Sequence, residues 1–201
     1  MAGPHGTTTE TKKKILGAYL SLCAEIGITQ VTLQKVAKKS KLSFTTVRYH
    51  FAEHGSGLEY EASMYVAQAG QRFTQSSIDD ARKKKSFNTI KSYIDGTFDW
   101  LEAYPDQAKF LIYFYYVSGT KQSLPIRNDN LVDTARIRTA SLIHEAIGRG
   151  EVKKTVDVTD LAPKIHAIIY GCGVLAMSIA SKEEYQRSRR ICWEMIQKLL
   201  S

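Results

Sequence analysis

Apolar residues recur at intervals of three and four along most of the chain, the period of helices that bury one face. The first run covers residues 9–26, with Ile15, Leu16, Tyr19, Leu22, Cys23 and Ile26 on one face and Gly27 placed to close its C-terminus. Two short patterns follow. Thr32 is a natural N-cap for a helix over 33–39, and Ser43 for one over 44–49, because a hydroxyl there accepts from orphan amides of the first turn. Only Ser40-Lys41-Leu42 separates the two. Leu33, Val36 and Ala37 then face Leu42 and Val47 as a small core, leaving Gln34, Lys35, Lys38, Thr45, Thr46, Arg48 and Tyr49 outside it.

After a break at 52–57, residues 58–81 read as one long helix carrying Met64, Tyr65, Ala69 and Phe73. The run Arg82-Lys83-Lys84-Lys85 ends it as a solvated cationic terminus. Ser86 is placed to cap a helix through Ile90, Tyr93, Ile94, Thr97, Trp100 and Leu101 to Tyr104, and Pro105 opens another to Val117. Residues 110–117 are apolar or aromatic on all faces, so that helix is expected to be surrounded. A loop at 119–123 leads to a helix over 127–148 with Leu131, Ala135, Leu142, Ile143 and Ile147. Asp157 or Thr159 caps a helix over 161–180, and Ser181 begins the last, with Ile191, Met195, Ile196, Leu199 and Leu200. No strand pattern exceeds 151–158 and there is no internal repeat. The expected class is all-α, with about nine helices in two domains: 1–56, of which 1–8 are flexible, and 57–201.

Composition narrows the setting. Hydrophobic residues at 43% and charged residues at 24% are ordinary for a globular protein. No apolar run approaches the roughly 18 to 20 residues of a membrane span. Residues 1–11 lack the apolar core of a signal peptide, so no membrane partner and a cytoplasmic location are expected. Cys23, Cys172 and Cys192 lie far apart without C-x-x-C spacing and read as reduced core residues. The net charge of +8 is uneven: residues 1–60 hold eight Lys and Arg against four Asp and Glu, half the excess in under a third of the chain.

A basic helix-turn-helix points to double-stranded DNA. The helix at 44–49 is placed to enter a major groove, with Thr45, Thr46 and Tyr49 reaching base edges and Lys35, Arg48 and His50 near phosphates. Phe44 is expected on the DNA side, and Thr32, Ser43 and His54 complete the candidate set. Lys12, Lys13 and Lys14 either neutralise phosphates or form a solvated basic end. His50 and His54 have i, i+4 spacing, but Gly55 and Gly57 interrupt the helix that a zinc pair needs, and no third ligand is evident; no metal or cofactor is expected. No G-x-S-x-G, Walker loop or G-x-G-x-x-G occurs, so an enzyme is not expected. Gly171 and Gly173 suit close backbone approach, as at a dimer interface. The aromatic group from Tyr93 to Tyr116 suits a core. Its tyrosine hydroxyls need partners, which makes a cavity using Tyr93, Thr97, Trp100, Phe110, Tyr113 and Phe114 a candidate ligand site.

The order of residues resembles the TetR/AcrR family of transcriptional regulators, whose N-terminal pattern is I-L-x-A-x3-L-F-x3-G, then T, I-A and S-x-G-x-x-Y-x-H-F. Ile15, Leu16, Ala18, Leu22, Gly27, Thr32, Val36, Ala37, Ser43, His50 and Phe51 stand in those places, over about the first sixty residues. Lys41 stands at the turn position where the family has glycine, Thr45 replaces a glycine, Arg48 replaces the first tyrosine, and one extra residue precedes Leu58. The resemblance implies a palindromic operator bound by a homodimer built from the last two helices, with Gly171, Gly173, Met177, Trp193 and Ile196 as candidate interface residues. It also implies an effector cavity walled by the long helices that carry Arg136, Arg138, His144 and His166. The expected function is a repressor released by a lipophilic or aromatic small molecule, a basic chain suiting an anion such as a fatty acid or acyl thioester. The alternatives are an effector-independent DNA-binding protein and a helical interaction protein with a vestigial head.

Overall fold

Capping side chains set the helix boundaries of the structure, a computed structural model that describes residues 10–53, 57–84, 87–118, 125–179 and 181–200. The elements are α1 (Glu10–Ile26), α2 (Leu33–Ser40), α3 (Phe44–Arg48), α4 (Leu58–Ala81), α5 (Thr89–Ala103), α6 (Pro105–Ser118), α7 (Pro125–Gly148), α8 (Val158–Ile179) and α9 (Lys182–Leu200), with a 3-10 turn at Ile28–Gln30 and a π turn at Tyr49–Glu53. The described residues contain no strand, so the class is all-α as the periodicity predicts. The chain divides into two compact units, Met1–Val66 and Ala67–Ser201, and the division falls inside α4. The flexible stretch expected at 1–8, the loop at 119–123, Ser86 and His54 lie outside the described residues.

In the first unit, Ile15, Leu16, Tyr19 and Leu22 of α1 are buried together with Val36, Ala37 and Val47. Leu20 joins this core, whereas Ile26 is exposed and Cys23 only half-buried, since the inner face of α1 ends one turn before the helix does. Gly27 adopts φ 80° and donates its N–H to the Cys23 carbonyl at 3.1 Å, closing α1. Thr32 accepts from the Lys35 amide at 3.3 Å and Ser43 from the Thr46 amide at 3.0 Å. Helix α2 runs to Ser40, whose buried hydroxyl donates to the Ala37 carbonyl. The chain reverses at Lys41 (φ 55°, ψ 39°); the Leu42 N–H reaches the Ala37 carbonyl at 3.1 Å and the Lys41 N–H the Lys38 carbonyl at 3.2 Å. That double closure is a Schellman motif. Helix α3 stops at Arg48, one residue short of the sequence expectation, and the backbone widens into the π turn.

Helix α4 has the predicted span but a different buried face. Met64, Tyr65, Ala69 and Phe73 are half-buried; the buried positions are Ala62, Ser63, Val66, Gly70, Thr74 and Ile78, largely an i, i+4 series. Hydroxyls on that face satisfy themselves within the helix, Ser63 donating to the Tyr60 carbonyl and Thr74 to the Gly70 carbonyl, each at 2.7 Å. Burying them therefore leaves no orphan group.

In the second unit, α5 starts later than expected because its cap is Asn88 rather than Ser86: the Asn88 amide oxygen accepts from the Lys91 N–H at 2.8 Å. The Glu151 carboxylate accepts from the Thr89 N–H at 2.7 Å, at the positive end of the helix. Residues 151–157 are turns, not a strand, and they carry Glu151 back to this position. Helices α4 and α5 approach closely: a Cβ at Gly96 would lie 2.9 Å from the Ser77 Cβ, and one at Gly70 would lie 3.0 Å from the Trp100 ring. Phe110 and Phe114 of α6 are buried, but Tyr116 is 73% exposed, so this helix is not surrounded. Its aromatic residues outnumber the buried positions that its neighbours provide.

Helix α7 begins at Pro125, two residues earlier than predicted, a position where proline's missing N–H costs nothing. Arg82 is not merely solvated: its guanidinium donates to both Glu145 oxygens, Nη2 to Oε2 at 2.7 Å and Nε to Oε1 at 3.2 Å, and to Asp79 at 2.6 Å. Asp157 caps α8, accepting from the Thr159 N–H at 2.9 Å. Helix α8 is long and apolar enough by length and composition to cross a membrane, which the search for apolar runs in the sequence did not register. Its face Leu161, Ile165, Ile169, Cys172, Ala176 and Met177 is buried in the unit.

Lys41 holds a left-handed conformation that disfavours any residue with a Cβ. Lys41→Gly is expected to stabilise the protein by about 1 kcal/mol. Urea denaturation measures this, and an unchanged or lowered midpoint would contradict it.

Candidate nucleic-acid interface and effector cavity

Val47 of α3 is fully buried, and this one anchor decides what the rest of α3 presents. Phe44 (40% exposed) and Tyr49 (53% exposed) lie outward with Thr45 and Arg48. A large aromatic left in solvent at each end of a five-residue helix is a surface made for contact. The Ser43 and Thr46 hydroxyls lie 2.8 Å apart, so both take part in capping as well as facing outward. Lys35 donates to the Gln30 carbonyl at 2.8 Å, and His50 packs edge-on to Tyr49 with centroids 5.4 Å apart. Among the three consecutive lysines of α1, Lys12 lies 3.8 Å from Glu61 and Lys13 2.7 Å from Glu10. Lys14, Lys38 and Lys41 are exposed. Among the described residues, no group of three His, Cys, Asp or Glu side chains is placed to hold a metal.

The second unit holds a half-open cavity of about 180 Å³ lined by α4, α5, α6, α7 and α8. Of the residues expected there, Tyr93, Thr97, Trp100 and His166 line it. Phe110, Tyr113 and Phe114 do not: α6 presents Ala108, Leu111, Ile112 and Tyr115 instead, while Phe110 and Phe114 are buried on another face. Arg136 is exposed, 3.8 Å from Asp133, and His144 is exposed on the outer face of α7. The α7 cation on the cavity wall is Arg138. Its Nη2 donates to the Gln71 carbonyl at 3.2 Å and its guanidinium carbon sits 5.2 Å from the Tyr93 ring centre. Across the cavity, Tyr115 and Tyr170 meet edge to face at 5.3 Å, and His166 stacks on Tyr170 at 6.5 Å.

Electrostatics follow burial. Desolvation pushes the Tyr115 hydroxyl up to about 12, with Tyr170 and Tyr93 adding to it. Burial also lowers the Arg138 guanidinium, opposed by Tyr93, and holds His166 below the usual histidine value, helped by Arg136. At neutral pH the wall therefore carries neutral tyrosines, a neutral imidazole and one guanidinium.

No family model matches the chain, and no curated protein is significantly similar to it. Solved structures are similar over almost the whole length. A TetR-family transcriptional regulator from Rhodococcus sp. aligns with TM-score 0.75 at 17% identity, covering 96% of this chain and 99% of that one. A TetR transcription regulator from Haloarcula marismortui aligns with TM-score 0.76 at 19% identity, covering 96% and 99%. The fatty acid degradation regulator FadR from Bacillus halodurans aligns with TM-score 0.75 at 13% identity, covering 95% and 96%. The fold is that of the TetR regulators.

In this chain the residues expected at a dimer contact separate into two groups. Gly173, Met177 and Ile196 face inward: a Cβ at Gly173 would lie 3.2 Å from Leu101, Met177 lines the cavity and Ile196 is fully buried. Gly171 is exposed and Trp193 half-buried. The uncovered apolar side chains of α8 and α9 are instead Leu175, Ile179, Ile191, Met195 and Leu199, with Gly171, Leu175 and Ile179 in strict i, i+4 register, as are Ile191, Met195 and Leu199. Each helix carries two apolar stripes; the sequence reading took Gly173, Met177 and Ile196 from the inner one and Gly171 from the outer.

The lowered His166 value has a signed consequence. An imidazole harder to protonate when folded gives the unfolded state more bound protons, so its contribution to stability is complete above about pH 6.5 and declines as pH falls below that. The urea midpoint of the native chain should drop between pH 7.5 and 5.5 by more than that of His166→Gln. Equal drops would mean that His166 is no better solvated unfolded than folded.

Proposed function

We propose that this chain is a DNA-binding transcriptional regulator that reads a palindromic operator as a homodimer and responds to a small effector, most simply as a repressor released on binding. The observation that carries the reading is the α2–α3 pair: Thr32 and Ser43 cap, a Schellman turn joins the helices, Val47 anchors α3, and Phe44, Thr45, Arg48 and Tyr49 face solvent. The local excess of positive charge supplies phosphate affinity. Lys35, His50 and Arg48 fit the phosphate role, with Thr45, Thr46 and Tyr49 toward base edges. The likeness to TetR regulators supports the same reading, and neither it nor the residues suggest catalysis.

The paired stripes on α8 and α9 suit a self-complementary contact, since an isologous interface needs one patch that matches itself. A dimer fixes the spacing of two reading helices at about one DNA turn. Ala67, Gly70 and Thr74 of α4 line the cavity, and α4 is continuous from Leu58, so an effector that favours one position of α4 biases the segment that carries the head. Coupling lowers operator affinity by the effector's differential binding energy, whatever its absolute affinity. We assign the protein to the cytoplasm, where such a regulator meets its operator.

Fluorescence anisotropy on DNA upstream of the gene, against a scrambled duplex at about 50 and 200 mM salt, tests the central claim. The expected preference for the upstream site is at least about 100-fold and survives the higher salt. Tyr49→Ala should cost about 10-fold on the upstream site and little on the scrambled one. Equal, salt-sensitive binding to both would reject specific regulation.

For the dimer, Leu175→Glu should yield a folded monomer by sedimentation velocity, with operator affinity reduced by about 10-fold or more. A native chain that sediments as a monomer at micromolar concentration would remove the interface from the proposal.

A further inference from the structure

The cavity in the second unit holds a cation without an anion. Arg138 lines it, donates one N–H to the Gln71 backbone and rests against the Tyr93 ring, and among the described residues no carboxylate pairs with it or lines the same space. Half-buried Arg189 of this unit is matched with Asp99, and even the exposed Arg82 and Arg149 pair with Glu145 and Glu151. A guanidinium carries five donors in a fork that matches two oxygens, and moving it out of water without a partner is costly.

Volume and wall chemistry narrow what that partner is. About 180 Å³ lies below the roughly 300 to 1,000 Å³ of drug-sized pockets and close to the roughly 150 Å³ of an engineered cavity that admits benzene. A single ring with a short substituent fills it, whereas a long acyl chain would have to run out through its open side. Trp100, Tyr115 and Tyr170 give the edges and faces on which a ring packs. The Thr97 hydroxyl donates to the Tyr93 carbonyl at 2.8 Å and the Thr74 hydroxyl to the Gly70 carbonyl, so neither needs a ligand acceptor. The guanidinium is thus the group that selects for charge.

Building on the effector-binding reading above, we propose that the ligand of this cavity is a small aromatic monocarboxylic acid, its carboxylate forked on Arg138 and its ring against Trp100, Tyr115 and Tyr170. This replaces the fatty acid or acyl thioester suggested by net charge alone: the charge on this wall matters and the sum over the surface does not. Arg138 is the specificity-determining residue, and the aromatic wall sets size.

Isothermal titration calorimetry with phenylacetate, its neutral isostere phenylacetamide, and hexadecanoate tests the proposal on the full chain. Phenylacetate should bind at least about 10-fold more tightly than phenylacetamide. Arg138→Gln should erase that preference while holding phenylacetamide within about three-fold, and Arg138→Lys should restore part of it, with circular dichroism verifying that both variants fold. Binding of phenylacetamide as tight as that of phenylacetate overturns the carboxylate assignment and leaves an effector site standing. Binding of hexadecanoate alone overturns the size assignment. If no probe binds and none raises the thermal midpoint, the space is a packing void, and the effector reading falls together with this proposal.

Discussion

The close approach of α4 to α5 at two glycines is the constraint on which the cavity of the second unit depends. Gly96 sits where a methyl would meet Ser77, and Gly70 where one would meet the Trp100 ring. Small residues at these two points let the helices come within reach of each other's backbones, and that in turn places Trp100, Tyr93 and Thr97 on one side of a cavity and Thr74 on another. A bulkier residue at position 96 would have to push Ser77 and the α4 backbone away, because a Cβ at 2.9 Å leaves no room for a rotamer change. Two missing side chains thus help to set the cavity's wall where α4 meets α5.

A comparable economy governs the first unit. One residue, Lys41, takes the left-handed turn, and two backbone bonds close behind it. The turn is strained by a Cβ yet kept, and its lysine adds an exposed charge beside the outward face of α3. A glycine would relieve the backbone and lose the cation. If the first unit binds DNA as proposed, the trade between turn strain and electrostatic attraction favours the lysine, since each neutralised phosphate adds affinity.

What the sequence made legible follows from how each signal is encoded. Caps are local: Thr32, Ser43 and Ser181 each act over three residues and were readable, while Asp157 was one of two candidates for a helix that starts three residues earlier than expected, at Val158. So was the outward placement of Phe44 and Tyr49, once Val47 was taken as the anchor. The buried face of α4 was hidden because Ser63, Gly70 and Thr74 are not apolar, and their burial depends on hydroxyls bonding back to the helix and on a neighbour coming close. Hydrophobicity cannot register a face that is buried for being small. The start of α5 was misplaced since Ser86 and Asn88 are both good caps, and the true first residue, Thr89, is held by Glu151, sixty-two residues further on, which the local sequence does not reveal.

Helix α7 shows where a finer reading could have gone further. Leu131, Ala135 and Leu142 define its inner phase from sequence alone, and Arg138 stands seven residues after the first and three after the second. It is in phase, whereas Arg136 and His144 are each about two steps off that line. Thr139, Ile143 and Ala146 continue the same buried stripe. A helix face about 100° wide admits one of the two arginines. Assigning a polar residue to a cavity needs the helical phase before the chemistry: an arginine two positions away points to solvent and pairs with Asp133, however well its charge would suit a ligand. The same test separates the stripes of α8, where Gly173 and Met177 run with the core and Gly171, Leu175 and Ile179 run opposite. Periodicity thus carries two messages on one helix, and only the packing of its neighbours says which stripe is the inner one.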